Sequence, residues 1–189
     1  MKHYLLTLIT LLCVPMLYAQ EQQQCNLQGI IKYEYNDYVG YKTDIGAEVG
    51  IVPVSKAKML EFSKWEIYED LAKRRTTYVL WKNDEDLRLY GDENLRRMTK
   101  FSHTDEEKLN SILQDIMTQY IESSKLFEYI GLVDSSGKYA ITLPYGEYYI
   151  FAKSANRTRL LLPEINGRLM LKKVKIDRPA QIVSFEFCY

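Results

Sequence analysis

Histidine, cysteine and clustered acid are the residue types that most often carry chemistry, and this chain of 189 residues is poor in the first two. Its two histidines are His3, in an apolar N-terminal stretch, and His103, just ahead of a helix start. A lone imidazole has neither a ligand set for zinc nor a base partner for a nucleophile, so His103 reads as a solvated loop residue. Cys13 lies in the same N-terminal stretch, while Cys25 and Cys188 stand near the two ends of the chain. In an oxidising compartment Cys25 and Cys188 could pair and tie the first strand to the last; two separate buried thiols are the alternative. Such a bridge would stabilise by roughly 5 kcal/mol in the chain-entropy model. The acidic runs Asp84-Glu85-Asp86, Asp92-Glu93 and Asp105-Glu106-Glu107 lack the calcium-loop spacing with its central Gly and terminal Glu. Acids favour first turns of helices and solvated surface, which accounts for them. A carboxylate pair for glycoside hydrolysis is defined by separation in space, so it stays open at this level. These residue types predict no catalytic group, no metal site and no cofactor.

Tyrosine carries the stronger signal, with 16 copies. Tyr35, Tyr38 and Tyr41 surround one loop, and Tyr145, Tyr148 and Tyr149 surround a hairpin. A phenol combines a flat apolar face with a hydrogen-bonding tip, which suits recognition of sugars or proteins. Tyr38, Tyr41 and Tyr145 are therefore the candidate partner-binding residues. The competing reading is that aromatics fill strand positions and sandwich ends. Asn156-Arg157-Thr158 fits a glycosylation sequon, a pattern of little weight behind a leader of bacterial type.

The segments that must position these residues begin after residue 19. Lys2 and His3 precede an uncharged apolar run over residues 5–17, and Tyr18-Ala19 leads into a glutamine-rich stretch. This has the form of a secretory signal peptide cut after Ala19, leaving residues 20–189 as one secreted or periplasmic domain. The run is short of the ~20 apolar residues of a comfortable span, so no stable membrane insertion is expected after cleavage. Removing Lys2 turns a balance of 25 basic and 25 acidic residues into 24 and 25. A neutral chain has no basic stripe for nucleic acid. Its 47% hydrophobic content is ample for a core.

Alternation predicts strands over residues 28–35 and 47–54, with residues 36–46 a polar loop between them. Spacing near 3.6 then takes over. Ser55 can cap a helix that carries Leu60, Lys64, Ile67, Tyr68 and Leu71 on one face, with Arg74 and Arg75 at its end. Residues 76–97 lean helical. Thr104 with Glu107 forms a capping box for a second helix, along which Leu109, Ile112, Leu113, Ile116, Met117, Tyr120 and Ile121 keep one face apolar. Strand character returns over residues 126–133. Asp134-Ser135-Ser136-Gly137 is a tight turn, Tyr139, Ile141 and Leu143 alternate, and Pro144 with Gly146 closes the next corner. From Glu147 to Lys153 the chain runs apolar and aromatic between its two charged ends, which suits a central strand covered on both faces. Residues 168–177 alternate with a break at Lys172-Lys173 that suggests a bulge. Residues 182–189 form the closing strand.

Two of these stretches resemble carboxypeptidase regulatory-like domains of transthyretin-type topology. Gly29 to Asp37 followed by Asp44-Ile45-Gly46-Ala47-Glu48-Val49 is similar to the family's first two strands. Leu132-Val133-Asp134 through Gly137-Lys138-Tyr139, with Pro144-Tyr145-Gly146-Glu147-Tyr148, is similar to its Asp, Gly, aromatic, then Pro, Gly, Tyr signature. The resemblance implies a mainly β chain: a seven-stranded Greek-key transthyretin-like β-sandwich with a helical insertion, residues 55–125, between the second and third strands. It implies a non-enzymatic module that binds a protein or glycan partner. The related hydroxyisourate hydrolases end in Tyr-Arg-Gly-Ser, whereas this chain ends Phe185-Glu186-Phe187-Cys188-Tyr189. A structural subunit of the cell surface and a carboxylate-pair hydrolase are the alternatives. Such motifs specify a fold better than an activity.

Overall fold

The computed structural model describes residues 23–36, 39–83, 100–156 and 169–187. In chain order the elements are β1 (Gln24–Asn36), β2 (Gly40–Thr43), β3 (Glu48–Pro53), α1 (Phe62–Asn83), α2 (His103–Ser124), β4 (Tyr129–Leu132), β5 (Lys138–Pro144), β6 (Gly146–Lys153), β7 (Leu169–Ile176), β8 (Ala180–Ile182) and β9 (Phe185–Phe187). One sheet is organised on β1 and the other runs β4-β3-β6-β7. Both helices fall between β3 and β4 in the chain.

The apolar run at the end of β6 shows how the layers stack. Tyr148, Ile150 and Ala152 point into the core between the sheets, where they meet Leu27, Ile31, Val49, Tyr139 and Phe185. Tyr149 and Phe151 point the other way, into a second core with Val52, Trp65, Tyr68, Leu71, Leu109 and Ile116. A strand alternates its side chains between faces, so a continuous apolar run needs cover on both. The helix pair supplies the outer cover, and the body has three layers.

The same double burial explains β7. Leu169 and Leu171 face the helices while Met170, Val174 and Ile176 face the opposite sheet. The register against β6 is continuous from Gly146↔Ile176 to Lys153↔Leu169, so the bulge expected at Lys172-Lys173 is absent. The apparent change of phase is a change in which face is covered. Lys172 closes the side of the sandwich, its Nζ donating to Ser184 O at 2.6 Å and lying 4.9 Å from the Phe185 ring centroid.

Nine strands are present among the described residues where seven were expected. One addition is β2, which pairs with β1 inside what reads as a loop. The other comes from division of the closing strand. β8 pairs with Asn26–Gln28 and β9 with Ile31–Tyr33, both parallel to β1. At the joint, Val183 N–H donates to Gln28 O at 2.8 Å and Ile30 N–H donates to the Ser184 hydroxyl at 3.1 Å. A hydroxyl there takes the place of a ladder carbonyl. Gly29 permits the close approach, because a Cβ on it would lie 1.8 Å from Val183 O.

The helices also differ from expectation in phase. Residues 54–56 form a turn and α1 begins at Phe62, so Ser55 is not its cap. The buried stripe is Trp65, Tyr68 and Leu71, while Ile67 is exposed and Lys64 reaches Asp115 at 2.8 Å. Arg74 and Arg75 lie within α1 instead of at its end. They pair with Asp105 (3.3 Å) and Glu106 (2.9 Å) in the first turn of α2. The cap of α2 is Ser102, not Thr104: its hydroxyl accepts from Asp105 N–H while Asp105 accepts from Ser102 N–H. The Ser102 N–H, then the Ser102 hydroxyl, donate to the Asp105 carboxyl and hold it below its ordinary pKa. Gln119, buried between the helices, accepts from Trp65 Nε1 at 3.1 Å and from Glu61 N–H at 3.0 Å.

Candidate functional site: the β1–β2 hairpin

β1 has 13 residues and outruns the sandwich. Its first part pairs with β5 and its last part with β2. Ile31 marks the handover, its N–H donating to Gly137 O at 3.0 Å and its C=O accepting from Asp44 N–H at 2.9 Å. Groups of one strand residue point to one edge, so β5 and then β2 follow the same edge of β1. The β1–β2 hairpin therefore extends past the point where β5 begins.

Its base is held by a buried carboxylate. Asp44 is fully buried, and its Oδ1 accepts from the N–H groups of Ala155 (3.2 Å) and Asn156 (3.1 Å) and from the Asn156 side-chain amide (2.8 Å). That amide also donates to Ile45 O at 2.8 Å. Hydrogen bonds to a buried carboxylate are strong, so the β2–β3 turn is fixed to the exit of β6. Gly137 (φ 77) packs against Thr43 and ties the hairpin to the β4–β5 turn. That turn is itself organised by Asp134, whose carboxylate accepts from Ser136 N–H, the Ser136 hydroxyl and Lys138 N–H.

Toward the tip the aromatic groups emerge. Tyr33 is partly buried against the inter-sheet core, and Tyr35 meets it edge to face at 6.4 Å. Lys42 lies opposite Tyr33 and sets its Nζ 3.4 Å from the Tyr35 ring centroid, a cation–π contact. Tyr41 lies opposite Glu34, so it shows on the other face of the ribbon. Exposure is 42% for Tyr35, 54% for Val39 and 44% for Tyr41. The ladder shifts register between Glu34 and Asn36, and Gly40 takes φ 69. The result is a twisted ribbon with an aromatic group on each face.

Of the three tyrosines picked out by sequence, Tyr41 belongs here and Tyr38 lies outside the described residues. Tyr145 does not join it. Its N–H donates to Gln23 O at 2.9 Å, at the start of β1, and its ring packs on the inter-sheet core. Eleven positions along the chain separate the partners of Tyr145 and Tyr41 (Gln23, just before β1, and Glu34), roughly 35 Å of strand at about 3.3 Å per residue. Tyr148 and Tyr149 are core residues: the first donates to Pro144 O at 2.9 Å, and the second stacks with Phe62 at 6.1 Å. Burial pushes the Tyr148 phenol up, as it does that of Tyr120. The signal for Tyr35 with Lys42 was present in the alternation Val39, Tyr41, Thr43 against Gly40 and Lys42.

Cys25 is a free, fully buried thiol whose pKa burial pushes up; Cys188, its expected partner, lies outside the described residues. His103 is the first residue of α2, with its side chain 87% exposed and Nδ1 3.5 Å from Glu107. Asp105 and Glu106 face arginines, not other carboxylates; the acidic runs at 84–86 and 92–93 lie outside the described residues. Among the described residues no three His, Cys, Asp or Glu side chains gather as a metal site, and no helix is long and apolar enough to cross a membrane.

No family model matches the chain, and no curated protein matches it. Among solved structures it is similar to a Pseudomonas aeruginosa protein provisionally described as carbohydrate-binding, at 14% identity and a TM-score of 0.38, over 89% of this chain and 93% of that one. It is also similar to the pilus backbone RrgB of Streptococcus pneumoniae, at 12% identity and a TM-score of 0.27 over 84% of this chain and 40% of the other. The full-length structure of RrgB gives 14% identity and a TM-score of 0.26, over 82% and 25%.

Proposed function

We propose that this chain is a non-catalytic, extracytoplasmic binding module, exported by residues 1–19, with the transthyretin-like topology of carboxypeptidase regulatory-like domains. Seven of its strands make the Greek-key sandwich, and the two helices are an insertion that seals the outer face of its second sheet. It recognises a protein or glycan partner through the β1–β2 hairpin. The observation that carries this reading is the exposure of Tyr35, Val39 and Tyr41 on a ribbon whose base is locked by the buried Asp44. Rigid aromatic groups give contact area at low entropic cost, and anchoring lowers the cost of ordering them on binding.

Glycan arrays and affinity capture with residues 20–189 test the proposal. Tyr35→Ala with Tyr41→Ala should weaken capture about tenfold or more, the loss typical of central aromatic contacts, while circular dichroism stays unchanged. Tyr145→Ala, at the far end of the sandwich, should leave capture intact. Capture that survives the double substitution removes the hairpin as the site, and a chain that retains no glycan or protein removes the binding role.

A further inference from the structure

We propose that the open edge of β4 receives an extended segment of a protein partner, added antiparallel to the second sheet, with apolar residues at two alternate positions and Lys or Arg on both flanks. This surface is separate from the hairpin and the inference does not depend on it. β4 ends the order β4-β3-β6-β7 and, among the described residues, pairs only with β3. Val133 N–H donates to Ala47 O at 3.0 Å. By the alternation of antiparallel ladders, the N–H and C=O of Ile130 and Leu132 then point away from β3. The side chains of both are 69% exposed, on the face where their neighbours across the ladder are Gly50 and Glu48. The opposite face is closed, since Gly131 meets the Ile141 side chain. The helix layer covers Val52 and Phe151 and stops short of these two residues. Exposed edges are ordinarily blunted by lysine, proline or a bulge. The sequence Tyr129-Ile130-Gly131-Leu132 has no lysine or proline.

The features of the edge favour a foreign strand over a second copy. β4 has four residues, about 13 Å at 3.3 Å per residue, and self-pairing over that length falls short of the ~1,000 Å² of a stable interface. A single extended segment needs less area, since main-chain hydrogen bonds supply affinity and alternate side chains supply specificity. Charge selects its flanks. Glu128 and Asp134 stand at the two ends of the apolar pair, and Glu48 stands beside Leu132. Lys56 and Lys153 pair with Glu128 and Glu48 through side chains 60% and 46% exposed. Such exposed pairs are weak and readily exchanged, so incoming cations can replace them and incoming acids are repelled.

The test uses fluorescein-labelled synthetic peptides of sequence Lys-Thr-Val-Thr-Ile-Thr-Lys, the same peptide with both lysines replaced by Glu, and residues 20–189 of this chain. Fluorescence anisotropy should show the lysine-flanked peptide bound, and about tenfold or more weaker binding of the glutamate-flanked one at low salt. Leu132→Pro, which removes an outward N–H and leaves the ladder to β3 whole, should weaken binding by a similar factor. Ile130→Asp keeps the backbone intact and should do the same, with circular dichroism unchanged in both variants. Absence of binding by the lysine-flanked peptide, equal binding of the two peptides, or binding that survives both variants overturns the proposal. A concentration-dependent dimer by light scattering that Leu132→Pro abolishes would also overturn it, and would assign the edge to a second copy.

Discussion

Replacing Gln119 with Leu tests how the helix layer is locked, because one side-chain oxygen there serves two donors. Gln119 is 6% exposed, and its Oε1 accepts from buried Trp65 Nε1 at 3.1 Å and from Glu61 N–H at 3.0 Å. Leucine has nearly the volume of glutamine and accepts nothing. A buried donor left without a partner costs about 1–3 kcal/mol. Glu61 is exposed and its N–H regains water, so the indole carries most of the loss. Burial of the leucine methyl groups offsets about 0.5–1 kcal/mol. The net destabilisation should be about 0.5–2 kcal/mol, a fall in Tm of roughly 1–8 °C for a domain of this size. Urea unfolding followed by far-ultraviolet circular dichroism and tryptophan fluorescence measures it. Repeating the substitution in a Trp65→Phe background completes a double-mutant cycle, where removal of both partners should recover about 1 kcal/mol. A cost under about 0.5 kcal/mol, or a cycle without coupling, would show that Trp65 does not depend on Gln119. It would also undo the assignment of Trp65 to the inner stripe of α1.

Phe151 touches Trp65 (5.5 Å), Tyr120 (5.8 Å) and Phe127 (5.3 Å) at the join of sheet and helices. Phe151→Ala should cost about 3–5 kcal/mol and preserve one cooperative transition; separate melting of helix and sheet signals would show the layers to be independent. Burial raises the Tyr139 phenol far above its ordinary value, and its hydroxyl donates to Val183 O. A raised folded-state pKa gives stability that is full below the unfolded value, about 10, and lost as pH rises past it. Tyr139→Phe should therefore cost about 1 kcal/mol at neutral pH and flatten the alkaline decline; an unchanged decline in urea titrations would sink this account. Hydrogen bonds from Lys138 N–H, then from the Ser136 hydroxyl, hold the Asp134 carboxyl below its ordinary value. Its stabilising effect is present above about pH 4 and is lost as pH falls. Asp134→Ala should lower stability at neutral pH and reduce the acid slope, as read from denaturation midpoints across the acid range.

The local sequence determined those features whose cause lies within a few residues. The turn Asp134 to Gly137 closes because a carboxylate and a positive-φ glycine sit at the required spacing, and residues 138–144 form a strand by simple alternation. The apolar run at 147–153 announced a strand buried on both faces. The helix from His103 followed from its apolar stripe, although Ser102 and Asp105 form the cap, since Thr104 and Glu107 offer a similar local pattern. Tertiary structure decided everything that depends on which surface covers which. Trp65, not Lys64 and Ile67, faces inward because α1 lies on Phe151 and Tyr149. β7 changes phase without a bulge because the helices cover Leu169 and Leu171 while the opposite sheet covers Val174 and Ile176. The closing strand divides where β1 passes Val183 with only a glycine between them. Tyr41 and Tyr145, equivalent as residue types, part company because β1 carries their partners at its two ends. Composition records that a side chain can stack and hydrogen-bond; distance along a shared strand, absent from any local window, decides which of them share a surface.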